Sequence, residues 1–270
     1  MDFNSLSPHG QVLVNSFKSR LPLRLELDCL MKRLPRKRLQ EKVLLDIGMP
    51  NPVMSAVLRE HGGAWATLAR SPAHAEEASE FLGTPVVCLG ADGEIPYDPH
   101  AFDVVVVSLG MLSAMSDPTA FLKECNRVLK SAGELIVCTQ FKKSFSLINL
   151  VRRLVQREGG AIIGEAYTER TLFGFLKYGF DVISTDSFSR FFVELVRIYE
   201  SRQLLKGVGE DQVCEKARWL YRLADQLDFF TLWSRGFVVV VHARRRQWRE
   251  RTAPVLADGR TIREAVLTHG

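Results

Sequence analysis

Residues 102–139 read FDVVVVSLGMLSAMSDPTAFLKECNRVLKSAGELIVCT. Two apolar runs, Phe102–Ser108 and Glu134–Thr139, flank a stretch with helical character, Pro118–Lys130, closed by Ser131–Ala132–Gly133. Continuous Val/Ile/Leu runs separated by helices are strands buried on both faces, the mark of a parallel sheet. Upstream the alternation continues. Val43–Ile47 is a strand ending at Gly48, and Pro52–His61 is a helix with Asn51 as its N-cap and proline at its first position. Ala64–Ala69 is a strand, Pro72–Leu82 a helix behind Ser71, and Pro85–Leu89 a third strand. Right-handed crossovers then give an open, doubly wound α/β sheet.

Downstream the chain is more helical. Ser144–Gln156 and Thr168–Lys177 read as helices, and Phe180–Thr185 as a strand. A long helical region follows, placing Phe192, Leu195, Val196 and Tyr199 on one face and Leu220, Leu223, Leu227 and Phe230 on another. Gly236 precedes a last strong strand, Phe237–Ala243. At the other end, residues 17–34 place Leu23, Leu27, Leu30 and Leu34 on one helical face. The expected organisation is a helical leader (1–42), an α/β core (43–187), a helical insertion or cap (188–235), and the core's last strand with a basic tail (236–270).

Composition narrows the function classes. The 270 residues are 46% hydrophobic and 25% charged, ordinary for a globular chain and unlike a disordered or disulfide-stapled one. No run reaches the roughly 18–20 uncharged apolar residues of a membrane span, and the N-terminus MDFNSLSPHG lacks a secretory pattern. The five cysteines (Cys29, Cys88, Cys125, Cys138, Cys214) form no CxxC and read as free thiols of a reducing compartment. The expected localisation is cytoplasmic, with peripheral membrane contact left open. The six histidines show no metal-ligand spacing, so no metal is expected.

Charge is unevenly spread. Residues 1–42 hold nine basic and four acidic side chains, 43–141 five and twelve, and 142–270 twenty-two and fifteen. An acidic middle between basic ends suits either an anionic partner or ordinary solvated helices. The run Arg244-Arg245-Arg246-Gln-Trp-Arg-Glu-Arg251 is a candidate anionic-surface contact, with a basic helix docked on the acidic core as the plain alternative, and Arg33–Arg38 is a similar candidate, with a solvated surface as its alternative.

Two linked blocks carry a family resemblance. Gly90-Ala-Asp-Gly-Glu-Ile-Pro-Tyr, running on to Phe102-Asp-Val-Val, resembles G-D-A-x-x-L-P-F…F-D-V-V. Asp117-Pro, continued by Phe121-Leu-Lys-Glu-Cys-Asn-Arg-Val-Leu-Lys-Ser-Ala-Gly, resembles D-P…L-x-E-x-x-R-V-L-K-P-G-G. Both belong to the class I S-adenosylmethionine (SAM) methyltransferase family, the branch acting mostly on small molecules and lipids. The resemblance implies a seven-stranded sheet with its last strand antiparallel, and methyl transfer from SAM to a small-molecule, glycan or lipid acceptor.

The same comparison locates a cofactor site and its departures from pattern. Asp46-Ile-Gly48-Met49-Pro50-Asn-Pro52 stands where the family has D-x-G-x-G-x-G, so Asp46, Gly48 and Met49 are candidates while prolines replace two glycines. Ala69 occupies the position of the ribose-binding acid, with Arg70 beside it. Asp92 matches the acid near the adenine, followed by Gly93, though an Asp-Gly pair also simply forms turns. Ser108 and Leu109 close the fourth strand, at the carboxyl edge where open α/β sheets bind ligands. No catalytic base is evident: Ser113 and Ala114 stand where some relatives place histidine. Glu165 and Tyr167 either face a substrate or precede a helix capped by Thr168, Tyr167 packing on Leu172. Tyr97 reads as packing. Phe191 and Phe192, with Arg190 and Arg197, read as part of the cap, with membrane contact the alternative. The alternative to an enzyme is a catalytically inactive scaffold on the same fold.

Overall fold

The computed structural model describes residues 7–35, 39–143, 146–157, 165–177, 179–231 and 236–246. The basic tail beyond Arg246, the triplet Arg36, Lys37 and Arg38, and the side chain of Cys214 lie outside the described residues.

Helices α1 (Pro8–Ser19) and α2 (Leu21–Arg33) precede strand β1 (Val43–Ile47). The core continues with α3 (Pro52–Glu60), β2 (Ala64–Ala69), α4 (Pro72–Leu82), β3 (Val87–Cys88) and β4 (Phe102–Val107). Then come α5 (Met111–Ala114), α6 (Pro118–Val128), β5 (Leu129–Gln140), α7 (Leu147–Arg157), α8 (Glu169–Leu176) and β6 (Phe180–Phe188). Helices α9 (Phe191–Leu205) and α10 (Glu210–Asp228) precede the final strand β7 (Val238–Arg245). The sheet has seven strands in the order β3-β2-β1-β4-β5-β7-β6, with β7 antiparallel to both neighbours and the other pairs parallel. This is the doubly wound, mostly parallel sheet that the resemblance implied.

The uninterrupted apolar runs work as expected. In β4, Val105 and Val107 join one core with Phe121, Leu122 and Leu172, while Val104 and Val106 join the opposite core with Leu27, Leu30, Met54 and Leu58. Because successive strand residues point to opposite faces, a strand covered on both sides has no polar position to spare. Helices α6 and α8 cover one face, α2 and α3 the other.

Local details differ from the expected elements. The 17–34 helix is two helices: Arg20 is extended, and Pro22 opens α2. The sixth helix stops at Val128, and the expected 131–133 turn lies inside strand β5. Leu129, fully buried, already pairs with Phe102, and the register shifts before Val104 pairs with Glu134. Ala132, at φ 60°, takes up that irregularity. The strand expected at 85–89 narrows to two residues.

The leader and the insertion meet over the carboxyl edge of the sheet. Leu21 packs with Val193, Ala217, Tyr221 and Ala224, and Arg218 donates to Ser19 Oγ at 2.8 Å. Within the cap, Glu194 is fully buried between Arg152 and Arg197 and also accepts from Ser189. Burial alone would raise its pKa, but the two guanidiniums outweigh it and hold the carboxylate low.

Candidate functional site

A cavity of about 330 Å³ opens at this edge. Its floor is made by the loops after three parallel strands: Pro50 after β1, Arg70 after β2, and Leu109, Gly110, Ser113 and Ala114 after β4. Gln140, the last residue of β5, adds a fourth side. Helix α2 supplies Leu23 and Glu26 as one wall, and α9 supplies Arg197, Glu200 and Leu204 as another. Its volume is at the small end of ligand pockets, about 300–1,000 Å³.

The candidate residues fall into three groups. Arg70 and Leu109 line the cavity directly. Asp46, Ala69 and Ser108 are buried beneath it, and Gly48 and Met49 are half-buried beside it. Asp92 is exposed in a turn closed by Gly93 N–H to the Gly90 carbonyl, 3.0 Å, and does not border the cavity. Gly93, at φ 80°, serves that turn; a Cβ there would lie 2.9 Å from Met115 Sδ.

Asp46 accepts from Ser55 Oγ at 3.0 Å and Thr67 Oγ1 at 2.8 Å, and Arg59 donates to that threonine at 2.7 Å. Burial pushes its carboxyl up to about 6 in spite of these donors. Its contacts join β1, β2 and α3, a structural role. Gly48 has φ +70°, and a Cβ there would lie 2.1 Å from Met111 Sδ. The close approach that this glycine permits is therefore used by a methionine of the same chain. The start of α3 is likewise closed: Pro52 has no N–H, Val53 N–H goes to Asn51 Oδ1 at 2.9 Å, and Met54 N–H to the Asn51 carbonyl.

The end of β4 is held by a residue that sequence reasoning missed. Glu26 Oε1 accepts from the Leu109 backbone N–H at 2.7 Å and from Ser108 Oγ at 2.8 Å. It is buried, and burial raises its pKa above the ordinary glutamate range. Opposite it, Arg20 Nε lies 2.9 Å from Glu200 Oε1, and Tyr221 donates to Glu200 Oε2 at 2.6 Å. Arg197 reaches Glu194 at 2.7 Å. Arg70 is exposed and makes no hydrogen bond or ion pair among the described residues. One signal for Glu26 was available: an acid among the leucines of an amphipathic leader.

The other singled-out residues are packing and anchoring groups. Thr168 Oγ1 caps α8, and Tyr167 is buried, edge-on to Phe175, its hydroxyl donating to the Leu112 carbonyl at 3.3 Å. Tyr97 stacks edge-on against Phe102. Arg244 lies 3.9 Å from Glu134, Arg245 bonds the Leu129 carbonyl, and Arg246 donates to Asp181 at 2.6 Å. These three arginines tie the end of β7 to its neighbours. Arg33 likewise bonds Asp186 and Ser184. The described cysteines are free thiols. Among the described residues no group of three His, Cys, Asp or Glu side chains is placed to hold a metal, and no helix is long and apolar enough to cross a membrane.

Residues 45–137 match the family described as a methyltransferase domain. No curated protein matches the sequence. Solved structures share the fold at low identity. A SAM-dependent methyltransferase from Thermotoga maritima is 19% identical, with 88% of this chain and 99% of that chain covered and a TM-score of 0.54. A protein from Galdieria sulphuraria described as a sarcosine dimethylglycine methyltransferase is 14% identical, covering 83% and 84%, at 0.55. The [4+2]-cyclase SpnF is 19% identical, covering 82% and 80%, at 0.56. Likeness at this level concerns the fold alone, which hosts more than one kind of chemistry. Residues 45–137 thus match a methyltransferase-domain family, and the fold around them is the one found in SAM-dependent methyltransferases.

Proposed function

We propose that this chain is a catalytically silent member of that family, binding a small anionic ligand, a carboxylate or phosphate, in the cavity. The observation that carries the reading is the inverted charge at the end of β2. Ala69 is buried there and offers no acceptor, and the neighbouring Arg70 lines the cavity. Arg20 and Arg197 line it as well, against Glu200 and a Glu26 that burial pushes toward its neutral form.

SAM held in the family's manner does not fit these residues. Its sulfonium and ammonium make it a net cation, which the charge of Arg70 disfavours, while Arg20 and Arg197 are already paired with Glu200 and Glu194. Met111 fills the face of Gly48, and Asn51 and Pro52 close the start of α3. The missing ribose acid alone removes about 1.5–3 kcal/mol of charged hydrogen bonding. Arginine, by contrast, grips carboxylate and phosphate through paired donors.

A second reading, methyl transfer from SAM to a small-molecule, glycan or lipid acceptor, is favoured by one observation: the cavity touches the loops after β1, β2 and β4. Calorimetry separates the two. S-adenosylhomocysteine is expected to give no heat, and micromolar binding would favour the enzyme. Citrate and pyrophosphate, as probes, are expected to raise the melting temperature, and Arg70→Ala to weaken that effect about tenfold. No stabilisation by either anion, or stabilisation that survives Arg70→Ala, overturns the anion assignment.

A further inference from the structure

The corner between the leader and helix α10 holds a second cavity, of about 320 Å³. It lies back to back with the first. Arg20 and Pro22 line the first cavity, and their chain neighbours Ser19 and Leu21 line the second. Between the two stands Tyr221, which lines the second cavity and donates to Glu200 of the first at 2.6 Å.

Three helices bring cations to this hollow. The end of α1 gives Lys18, the first turn of α2 gives Arg24, and α10 gives Arg218 and Arg222. Helix α10 as a whole carries more acid than base, but a spacing of four residues gathers its two arginines on one face. Asp225 is the one carboxylate in the lining, so four positive charges stand against one negative.

The neighbouring acids are engaged or placed elsewhere. Helix α1 has none. On α2, Glu26 holds Ser108 and Leu109, and Asp28 lines a different hollow with Met31 and Lys32. On α9, Glu194 is paired with Arg152 and Arg197, and Glu200 with Arg20. On α10, Asp228 accepts from the Phe192 and Val193 amides, Glu210 and Asp211 open the helix, and Glu215 is exposed one turn before Arg218 with no ion pair to it.

The four cations have no acid partner. The side chains of Lys18, Arg24 and Arg222 make no hydrogen bond or ion pair among the described residues, and Arg218 donates to a neutral group, Ser19 Oγ, at 2.8 Å. Arginines elsewhere are matched with acids: Arg33 with Asp186, Arg127 with Glu124, Arg246 with Asp181. Like charges in a concavity repel one another and focus their field on an incoming anion.

We propose that this cavity is a second anion site, one that takes a diphosphate group. Two linked phosphates carry about three negative charges at neutral pH, which matches four cations less one carboxylate. Guanidiniums present paired donors to phosphate oxygens, here from the leader and from α10. A bound diphosphate therefore ties the leader to the cap. The site shares no lining residue with the first cavity and stands independently of the ligand reading there.

The test is calorimetry of the full chain with pyrophosphate and with ADP, at low and high salt. Pyrophosphate binding that salt weakens is expected. Arg222→Ala loses no bond within the protein, so it is expected to weaken binding about tenfold while the free protein melts unchanged. Asp225→Asn removes the one acid and is expected to tighten binding about threefold. Tighter binding of ADP than of pyrophosphate identifies a nucleotide as the source of the group, and equal binding the free diphosphate; either supports the site. Crossing the variants keeps the two cavities apart, with Arg70→Ala read both alone and in the Arg222→Ala protein. Binding kept in Arg70→Ala and lost in Arg222→Ala supports this site whatever the fate of the first. Binding lost in Arg70→Ala and kept in Arg222→Ala assigns the anion to the first cavity and overturns the proposal. No pyrophosphate binding, or weaker binding in Asp225→Asn, overturns it too. Binding of a short single-stranded RNA without binding of pyrophosphate assigns the cations to a phosphodiester chain and overturns it as well.

Discussion

Glu26 and Ser108 are 82 residues apart in the chain and joined by a 2.8 Å hydrogen bond, with the Leu109 amide sharing the same carboxylate oxygen at 2.7 Å. The leader helix thus closes the very strand end where an open α/β sheet presents its ligand groups. Removing the carboxylate would strand a half-buried N–H and a buried hydroxyl. Glu26→Ala is therefore expected to cost about 1–3 kcal/mol in urea unfolding. Glu26→Gln keeps an acceptor oxygen and removes a buried, desolvated charge, so it is expected to be neutral or stabilising at neutral pH. Equal losses from both variants would mean that the charge itself holds the leader down.

Asp46 gives a pH signature. Its folded pKa is about 6 against an ordinary value of 3.8, so the folded state holds the proton more tightly than the unfolded chain. The burial penalty is absent below the unfolded value and complete above the folded one. Wild-type stability relative to Asp46→Asn should fall by about 3 kcal/mol as pH rises from about 4 to about 7. Chemical denaturation of both proteins across that range measures it; a difference flat in pH would show that the aspartate stays ionised throughout.

The architecture was legible because one physical rule governs it. Strands covered on both faces, such as Val104–Val107, must be apolar at every position, and prolines and caps such as Asn51, Ser71 and Thr168 mark helix starts. The floor of the cavity was legible for the same reason, since strand ends fix the loops that carry Pro50, Arg70 and Leu109. The walls were not. Glu26, Arg20, Arg197 and Glu200 come from leader and insertion helices whose docking over the sheet depends on long-range packing. Asp92 shows the converse: its Asp-Gly pair fits both a ligand motif and a turn, and here the exposed turn is what the local hydrogen bonds build.

Gly48 and Met111 form a lock that can be tested from both sides. A side chain at 48 meets two obstacles, a left-handed φ of +70° and the Met111 sulfur 2.1 Å from the added Cβ. The backbone part alone costs about 1–2 kcal/mol. Gly48→Ala is expected to lose more than that, and adding Met111→Ala should recover the steric share while opening space over residue 48. If the double variant is no more stable than the sum of the singles predicts, the contact with Met111 is not what excludes a side chain.

Pro50 and Ala69 carry the decisive functional prediction. If the inverted charge and stiffened loop are what exclude SAM, reversing them should restore recognition of its product. Pro50→Gly returns backbone freedom to the loop after β1, and Ala69→Asp returns a ribose acceptor at the end of β2. One charged hydrogen-bond partner corresponds to about a ten- to hundredfold gain in affinity, so the double variant should bind S-adenosylhomocysteine measurably by calorimetry where the wild type gives no heat. Adding Arg70→Ala should strengthen that binding further, because it lowers the positive charge facing the ligand's ammonium group. Should the triple variant stay silent while remaining folded, the obstruction lies in Glu26 and Met111, the two side chains that fill the edge from within, and the charge at the end of β2 is secondary.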